Sequence, residues 1–181
     1  LFSTSGCFFS AGTYNNMGVV YSNGQAATYS STKQFIFVDG GEISVSCVAA
    51  ITIPSSSRVM IGLTNERSDY LSLTRGICFA AYSSGFGDTN IYAVTKNASG
   101  TTSTDTGIAS STTYRTFDII VNDDATSVEF KIDGATVATH TTHIPSNTDS
   151  LYGCCGAYNL GGPAVYLDFL SFLKTYNGPR A

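Results

Sequence analysis

Apolar and polar residues alternate along this chain with a period of two. Nowhere do apolar residues recur at helical spacing for three turns. Val128, Phe130 and Ile132 alternate with Glu129 and Lys131, and Phe117, Ile119 and Val121 alternate with Asp118 and Ile120. The same reading predicts strands over 33–39, 42–52, 58–64, 76–83, 90–97 and 164–176. Residues 47–51 are apolar on both faces, as in a central strand covered on each side. Turn chemistry separates the runs: Ser22-Asn23-Gly24, Asp39-Gly40-Gly41, Asn122-Asp123-Asp124 and Asp133-Gly134. Asp133-Gly134 is the sharpest signal, because a two-residue hairpin turn needs φ > 0 and favours that pair. The Thr- and Ser-rich segment 98–116, around Asp105, reads equally as a flexible loop or as a soluble edge strand. About a dozen short strands at such spacings make an all-β, antiparallel β-sandwich or jelly roll. With no linker, composition break or internal repeat, the expectation is a single domain over residues 1–181.

Composition narrows the class. Only 12% of the residues are charged against 43% hydrophobic, so the polar surface is built mostly from hydroxyls and amides. Helical bundles need exposed faces rich in Glu and Lys, and this chain has three Glu and four Lys. A net charge of -4 argues against a nucleic-acid footprint, which needs clustered Lys and Arg. The apolar runs are far too short for a membrane span, so no membrane insertion is expected. The opening stretch up to Lys33 carries no charge and so lacks the basic region of a signal peptide.

Cys7, Cys47, Cys78, Cys154 and Cys155 are odd in number and share no zinc-ligand spacing. They read as buried thiols acting as small hydrophobes, with one or two disulfides and a leftover thiol as the alternative. Adjacent Cys154 and Cys155 on a strand face opposite sides of its sheet.

The second half of the chain resembles a known family. The run from Val128 to Pro145, with Phe130, Ile132-Asp133-Gly134, Val137-Ala138-Thr139-His140-Thr141-Thr142 and Ile144-Pro145, resembles a hairpin of concanavalin A-like lectin/glucanase sandwiches. Val59-Met60-Ile61-Gly62-Leu63-Thr64, Gly76-Ile77-Cys78-Phe79, Thr104-Asp105-Thr106-Gly107 and Tyr114 to Ile119 follow in that family's order, and Val165-Tyr166-Leu167-Asp168-Phe169 matches its last long strand. The similarity covers roughly residues 41–176. It implies two curved antiparallel sheets packed face to face, and it is closest in kind to non-catalytic domains of bacteriophage virion proteins, such as tail fibres and capsid decorations. His143 departs from the pattern, which usually has Asn there.

Glucanases of this family hydrolyse with paired carboxylates in an E-x-D-x-x-E pattern, and retaining chemistry needs them about 5–5.5 Å apart. The nearest pair here, Glu66 and Asp69, lacks that motif and flanks Arg67. His140 and His143, three apart on a strand, face opposite sides unless the chain bends, and read as hydroxyl-bonded structural residues. Ser84-Gly85-Phe86-Gly87 is no nucleophile elbow and reads as a loop. Asp118, Asn122, Asp123 and Asp124 offer calcium-type oxygens, although Asx residues favour turns for backbone reasons alone. Asn97-Ala98-Ser99 is a glycosylation sequon.

The remaining candidate is glycan contact, in which sugar rings stack on aromatic faces while amides and carboxylates take the hydroxyls. Tyr82, Asp88, Asn90 and Tyr92, with Phe86 between them, supply those residue types within one loop. What the resemblance implies, with this loop beside it, is a non-catalytic structural module, not an enzyme, on a virion exterior, with no metal or cofactor. Its partners would be other virion proteins or copies of itself, and cell-surface glycans. The alternatives are a secreted carbohydrate-binding module and, third, a glucanase-class hydrolase.

Overall fold

A computed structural model describes residues 8–9, 27–36, 41–53, 58–65, 73–146, 149–158 and 165–174. The strands are β1 (Phe8–Phe9), β2 (Ala27–Ile36), β3 (Ile43–Ile51), β4 (Arg58–Thr64), β5 (Gly76–Tyr82), β6 (Asn90–Asn97), β7 (Gly100–Ala109), β8 (Ser111–Val121), β9 (Val128–Ile132), β10 (Ala135–His140), β11 (Ser150–Tyr158) and β12 (Val165–Lys174). Among the described residues they form two six-stranded sheets. The first runs β1-β12-β3-β8-β9-β10 and the second β2-β11-β4-β5-β6-β7. Every pairing is antiparallel except the short β1–β12 contact. The alternating patterns thus become the expected sandwich. A single helical turn, α1 (Ser83–Phe86), stands where the sequence reads as a loop.

The core lies between the sheets. Val45, Cys47, Phe117, Ile119, Val128 and Phe130 of the first sheet meet Ile61, Leu63, Ile77, Phe79 and Ala93 of the second. Phe79 presents a T-shaped contact to both Phe117 and Phe130, each at 5.3 Å between centroids. Edge-to-face geometry lets the positive ring edge meet a negative face, about 0.5–1.5 kcal/mol per pair beyond area burial.

The second sheet is also buried on its outer face. Met60, Leu73, Cys78, Ala80, Val94 and Cys154 form a separate apolar cluster there, with Phe86 and Tyr92 packed against it. That is why β4 and β5 read as continuous apolar runs rather than alternating ones. Cys154 joins this outer cluster while Cys155 points into the main core, as alternation on a strand requires. Cys47, Cys78, Cys154 and Cys155 are buried thiols, and Cys7 lies outside the described residues.

The segment 98–116 resolves into edge strand β7 and the start of β8. Thr102, Thr104 and Thr106 turn inward, and Thr101, Ser103 and Asp105 face solvent. The turns Ser22-Asn23-Gly24 and Asp39-Gly40, and the Glu66–Asp69 pair, lie outside the described residues.

At the β9–β10 turn, Asp133 has φ 52° and Gly134 has φ 80°, so both central residues are left-handed, as a type I′ turn demands. The Asp133 carboxylate also accepts the Thr116 backbone N–H at 3.0 Å and pairs with Arg115 at 2.6 Å, fixing the hairpin against β8. Gly134→Val is expected to cost about 1–2 kcal/mol, because a β-branched residue resists positive φ. In urea denaturation this reads as a lower midpoint at unchanged slope; an unchanged midpoint would contradict the turn assignment.

Candidate functional site

Tyr82 closes β5, α1 follows, and a short turn leads through Asp88 into β6, which carries Asn90 and Tyr92. Register sets Tyr92 opposite Asp105 of β7, so the loop's residues and the edge strand share one surface. The Asp88 carboxylate accepts the Asn90 backbone N–H and the Tyr92 hydroxyl, both at 2.8 Å. Asn90 Nδ2 donates to the two carboxylate oxygens of Asp105 at 3.1 and 3.0 Å. Phe86 stacks on Tyr92 at 3.9 Å, and the Tyr82 ring meets Phe86 edge-on at 6.4 Å. The Arg58 guanidinium sits 4.9 Å from the Tyr82 ring centroid. All four sequence candidates, Tyr82, Asp88, Asn90 and Tyr92, therefore belong to one connected group.

Two further members escaped the sequence reading. Asp105 enters through the β6–β7 register and Arg58 through its pairing with Tyr82 across β4–β5. Both contacts depend on strand pairing over many intervening residues, which no local motif announces. The hydrogen bond to Asp88, with burial and the charges of Asp105 and Asp88 adding to it, pushes the Tyr92 phenol up to about 12. Tyr92 therefore holds its proton at neutral pH as a donor to Asp88.

The histidines are placed elsewhere. The chain bends after β10, and His143 takes φ 53°, a left-handed conformation that Asn and His tolerate better than most residues. The bend turns the His143 ring toward β7, to which strand alternation already points His140. His143 Nδ1 lies 2.9 Å from the Thr102 hydroxyl. His140 lies between the sheets, with Nδ1 3.0 Å from Thr95 Oγ1 and Nε2 2.9 Å from Thr104 Oγ1. Thr95 spends its one hydroxyl proton on the Thr142 carbonyl at 2.9 Å, so it accepts from His140. Nδ1 then carries the proton, and Nε2 accepts from Thr104. Both ring nitrogens are used in joining the sheets.

Asp118 accepts a hydrogen bond from Ser46, apart from the Asn122–Asp124 turn. Asp124 is held below the usual carboxylate range by hydrogen bonds, chiefly from Thr126 and also from Asn122. No group of three or more His, Cys, Asp or Glu side chains that could hold a metal occurs among the described residues. In the sequon, Asn97 Oδ1 accepts the Ser99 backbone N–H and hydroxyl, while its Nδ2 donates to the Ile144 carbonyl.

No family model matches the chain, and no curated protein matches it. Solved structures do. The alginate lyase AlyC3 in complex with dimannuronate superposes with a TM-score of 0.61 at 12% identity, covering 90% of this chain and 75% of that one. The metal-free carbohydrate recognition domain of Emp46p gives 0.60 at 9% identity, covering 91% and 88%. Alginate lyase PA1167 from Pseudomonas aeruginosa gives 0.55 at 12% identity, covering 83% and 73%. The fold is a concanavalin A-like jelly roll. At such identities the likeness is one of fold, and both carbohydrate recognition domains and lyases share it.

Burial holds His140 below its ordinary value of about 6.5. The folded state thus favours the neutral ring. That contribution to stability is fully present above about pH 6.5 and is lost as pH falls toward the folded value. In His140→Gln, which cannot titrate, stability is expected to fall less between about pH 7 and about pH 5 than in the parent chain. Equal losses in thermal melts of the two proteins would contradict the buried-neutral assignment.

Proposed function

We propose that this chain is a non-catalytic glycan-contacting module, displayed on the exterior of a virion. Its proposed partners are neighbouring virion proteins or copies of itself, together with cell-surface glycans. The observation carrying the reading is the convergence of Tyr82, Phe86, Asp88, Asn90, Tyr92 and Asp105 into one aromatic, amide and carboxylate group at the margin of the second sheet. Those are the residue types that recognise sugar hydroxyls and ring faces.

Non-catalytic action is supported by how these groups are engaged. Tyr92 holds its proton against Asp88, and Asp88 already accepts two hydrogen bonds. His140, the buried imidazole, is committed to holding the two sheets together. The middle of the same outer face is filled by Met60, Cys78, Ala80, Val94 and Cys154, none of which is a general acid or base at neutral pH. The sparse charge and abundant hydroxyls support a durable exterior protein. A polysaccharide lyase or hydrolase is the second reading, favoured by neighbours that are alginate lyases. A secreted lectin-like module is the other alternative, with the same site and no particle.

The purified chain is expected to bind a glycan on an array of neutral, acidic and bacterial surface polysaccharides. Tyr92→Ala and Asn90→Ala should each weaken that binding about ten-fold or more, equivalent to about 1.4 kcal/mol. Release of unsaturated products or reducing ends from any of these polysaccharides would overturn the non-catalytic reading. Fixed stoichiometry in intact particles supports the virion placement, and secretion without particles would move the secreted module to first place.

A further inference from the structure

The hydrogen-bond inventory of the site goes further than its residue types. Tyr92 has spent its hydroxyl proton on Asp88, and the Asn90 backbone N–H is spent there too. Asn90 Nδ2 is drawn onto both oxygens of Asp105, one of which also accepts the Gly107 N–H at 2.8 Å. The Tyr92 hydroxyl and the Asn90 backbone N–H are therefore committed inward, while Asn90 Nδ2, directed at a single carboxylate, keeps one of its two hydrogens. Each carboxylate oxygen retains acceptor capacity beyond the bonds it makes within the group, most clearly the Asp88 oxygens and Asp105 Oδ2, which has one partner. Asp105 is exposed and Asp88 half-buried. An incoming ligand thus meets acceptors and negative charge.

The flanking cations do not reverse this. Arg58 of β4 lies over Tyr82, two strand spacings or about 9.5 Å of sheet from β6, which carries Tyr92. Lys96 is four residues along β6 from Tyr92, about 13 Å at strand spacing. That exceeds a Debye length of about 8 Å at physiological salt, and so Lys96 is largely screened from the site.

We infer that the site takes an uncharged, hydroxyl-donating glycan and discriminates against polyuronates. The inference rests on the glycan-contact reading. A sugar hydroxyl can donate to Asp88 or Asp105, whereas a uronate carboxylate brings only acceptors and a like charge. The same chemistry separates this chain from its fold neighbour with bound dimannuronate, whose ligand is a uronate.

The test compares a neutral β-glucan oligosaccharide with an oligouronate of equal length, by titration calorimetry at low and at high salt. The neutral ligand is expected to bind with little salt dependence, and the uronate about ten-fold more weakly or worse at low salt. That gap should narrow in Asp105→Asn, and in Asp88→Asn should the first variant fold poorly. Asp123→Asn, in the loop beyond the far end of β8, makes the same change in net charge and should leave the gap unchanged. Uronate binding as tight as neutral binding at low salt would overturn the inference. So would equal narrowing by Asp123→Asn, which would assign the effect to net charge alone. Binding of neither ligand, nor of any glycan on the array, would overturn the glycan-contact reading itself.

Discussion

The contact of Phe79 with Phe117 and Phe130 sets the relation of the two sheets. One ring from the second sheet is held by two rings from adjacent strands of the first, all three nearly fully buried. Fully burying a large apolar side chain contributes about 1.5–3 kcal/mol, so no single hydrogen bond at the periphery competes with this centre. The pairing fixes which residues of β5, β8 and β9 face inward, and everything on the opposite faces follows from the pleat. Alternation then sends Cys78 and Ala80 outward from β5, where water would meet them if nothing lay above. Phe86, Tyr92 and Leu73 contribute to that cover. The short α1 turn carries Phe86 into position.

Polar groups consequently occur where the apolar layers end. At the β7–β10 margin, burial of a polar side chain is permitted only with partners, and His140 has Thr95 and Thr104. The inward threonines of β7 act as a row of hydroxyls matched to two imidazoles and a carbonyl. On the other side of the same strand, Asp105 faces solvent and receives Asn90. One edge strand therefore serves two purposes through its two-residue period: one face closes the sandwich and the other completes the candidate site.

Much of the sandwich was legible because its strands obey local rules. β4 and β6 begin and end where their apolar runs place them, and Asp133-Gly134 announces its own geometry. β11 was far less legible. It lies between β2 and β4, yet Gly153, Cys154, Cys155 and Gly156 give neither an alternating signal nor β-branched bulk. Its small residues have a packing reason, since a Cβ on Gly153 would stand 2.5 Å from the Phe172 ring. The β7 ambiguity has a similar cause: threonine suits both a loop and a pleated edge, and only its partners on β6 and β10 decide. For the site, the residues within one loop were readable, whereas Asp105 and Arg58 were not. Their membership is a property of strand register, which the sequence expresses only through long-range pairing. His143 shows the reverse case, in which a His where the resembling pattern has Asn is explained by a backbone angle that both residues accept.

The thiol layout bears on how the fold meets redox conditions. Cys78 and Cys154 share the outer cluster, but each is in register with Gly62 on opposite sides of β4. Two strand spacings, about 9.5 Å, separate their backbones, beyond the reach of a disulfide. Cys154 and Cys155 point to opposite faces. Burial, with the neighbouring Cys154 adding to it, pushes the Cys78 thiol up, so it stays protonated and unreactive. Among these four buried cysteines, cohesion is carried by packing rather than by oxidation. These four thiols therefore leave the described part of the sandwich indifferent to the redox state of its surroundings.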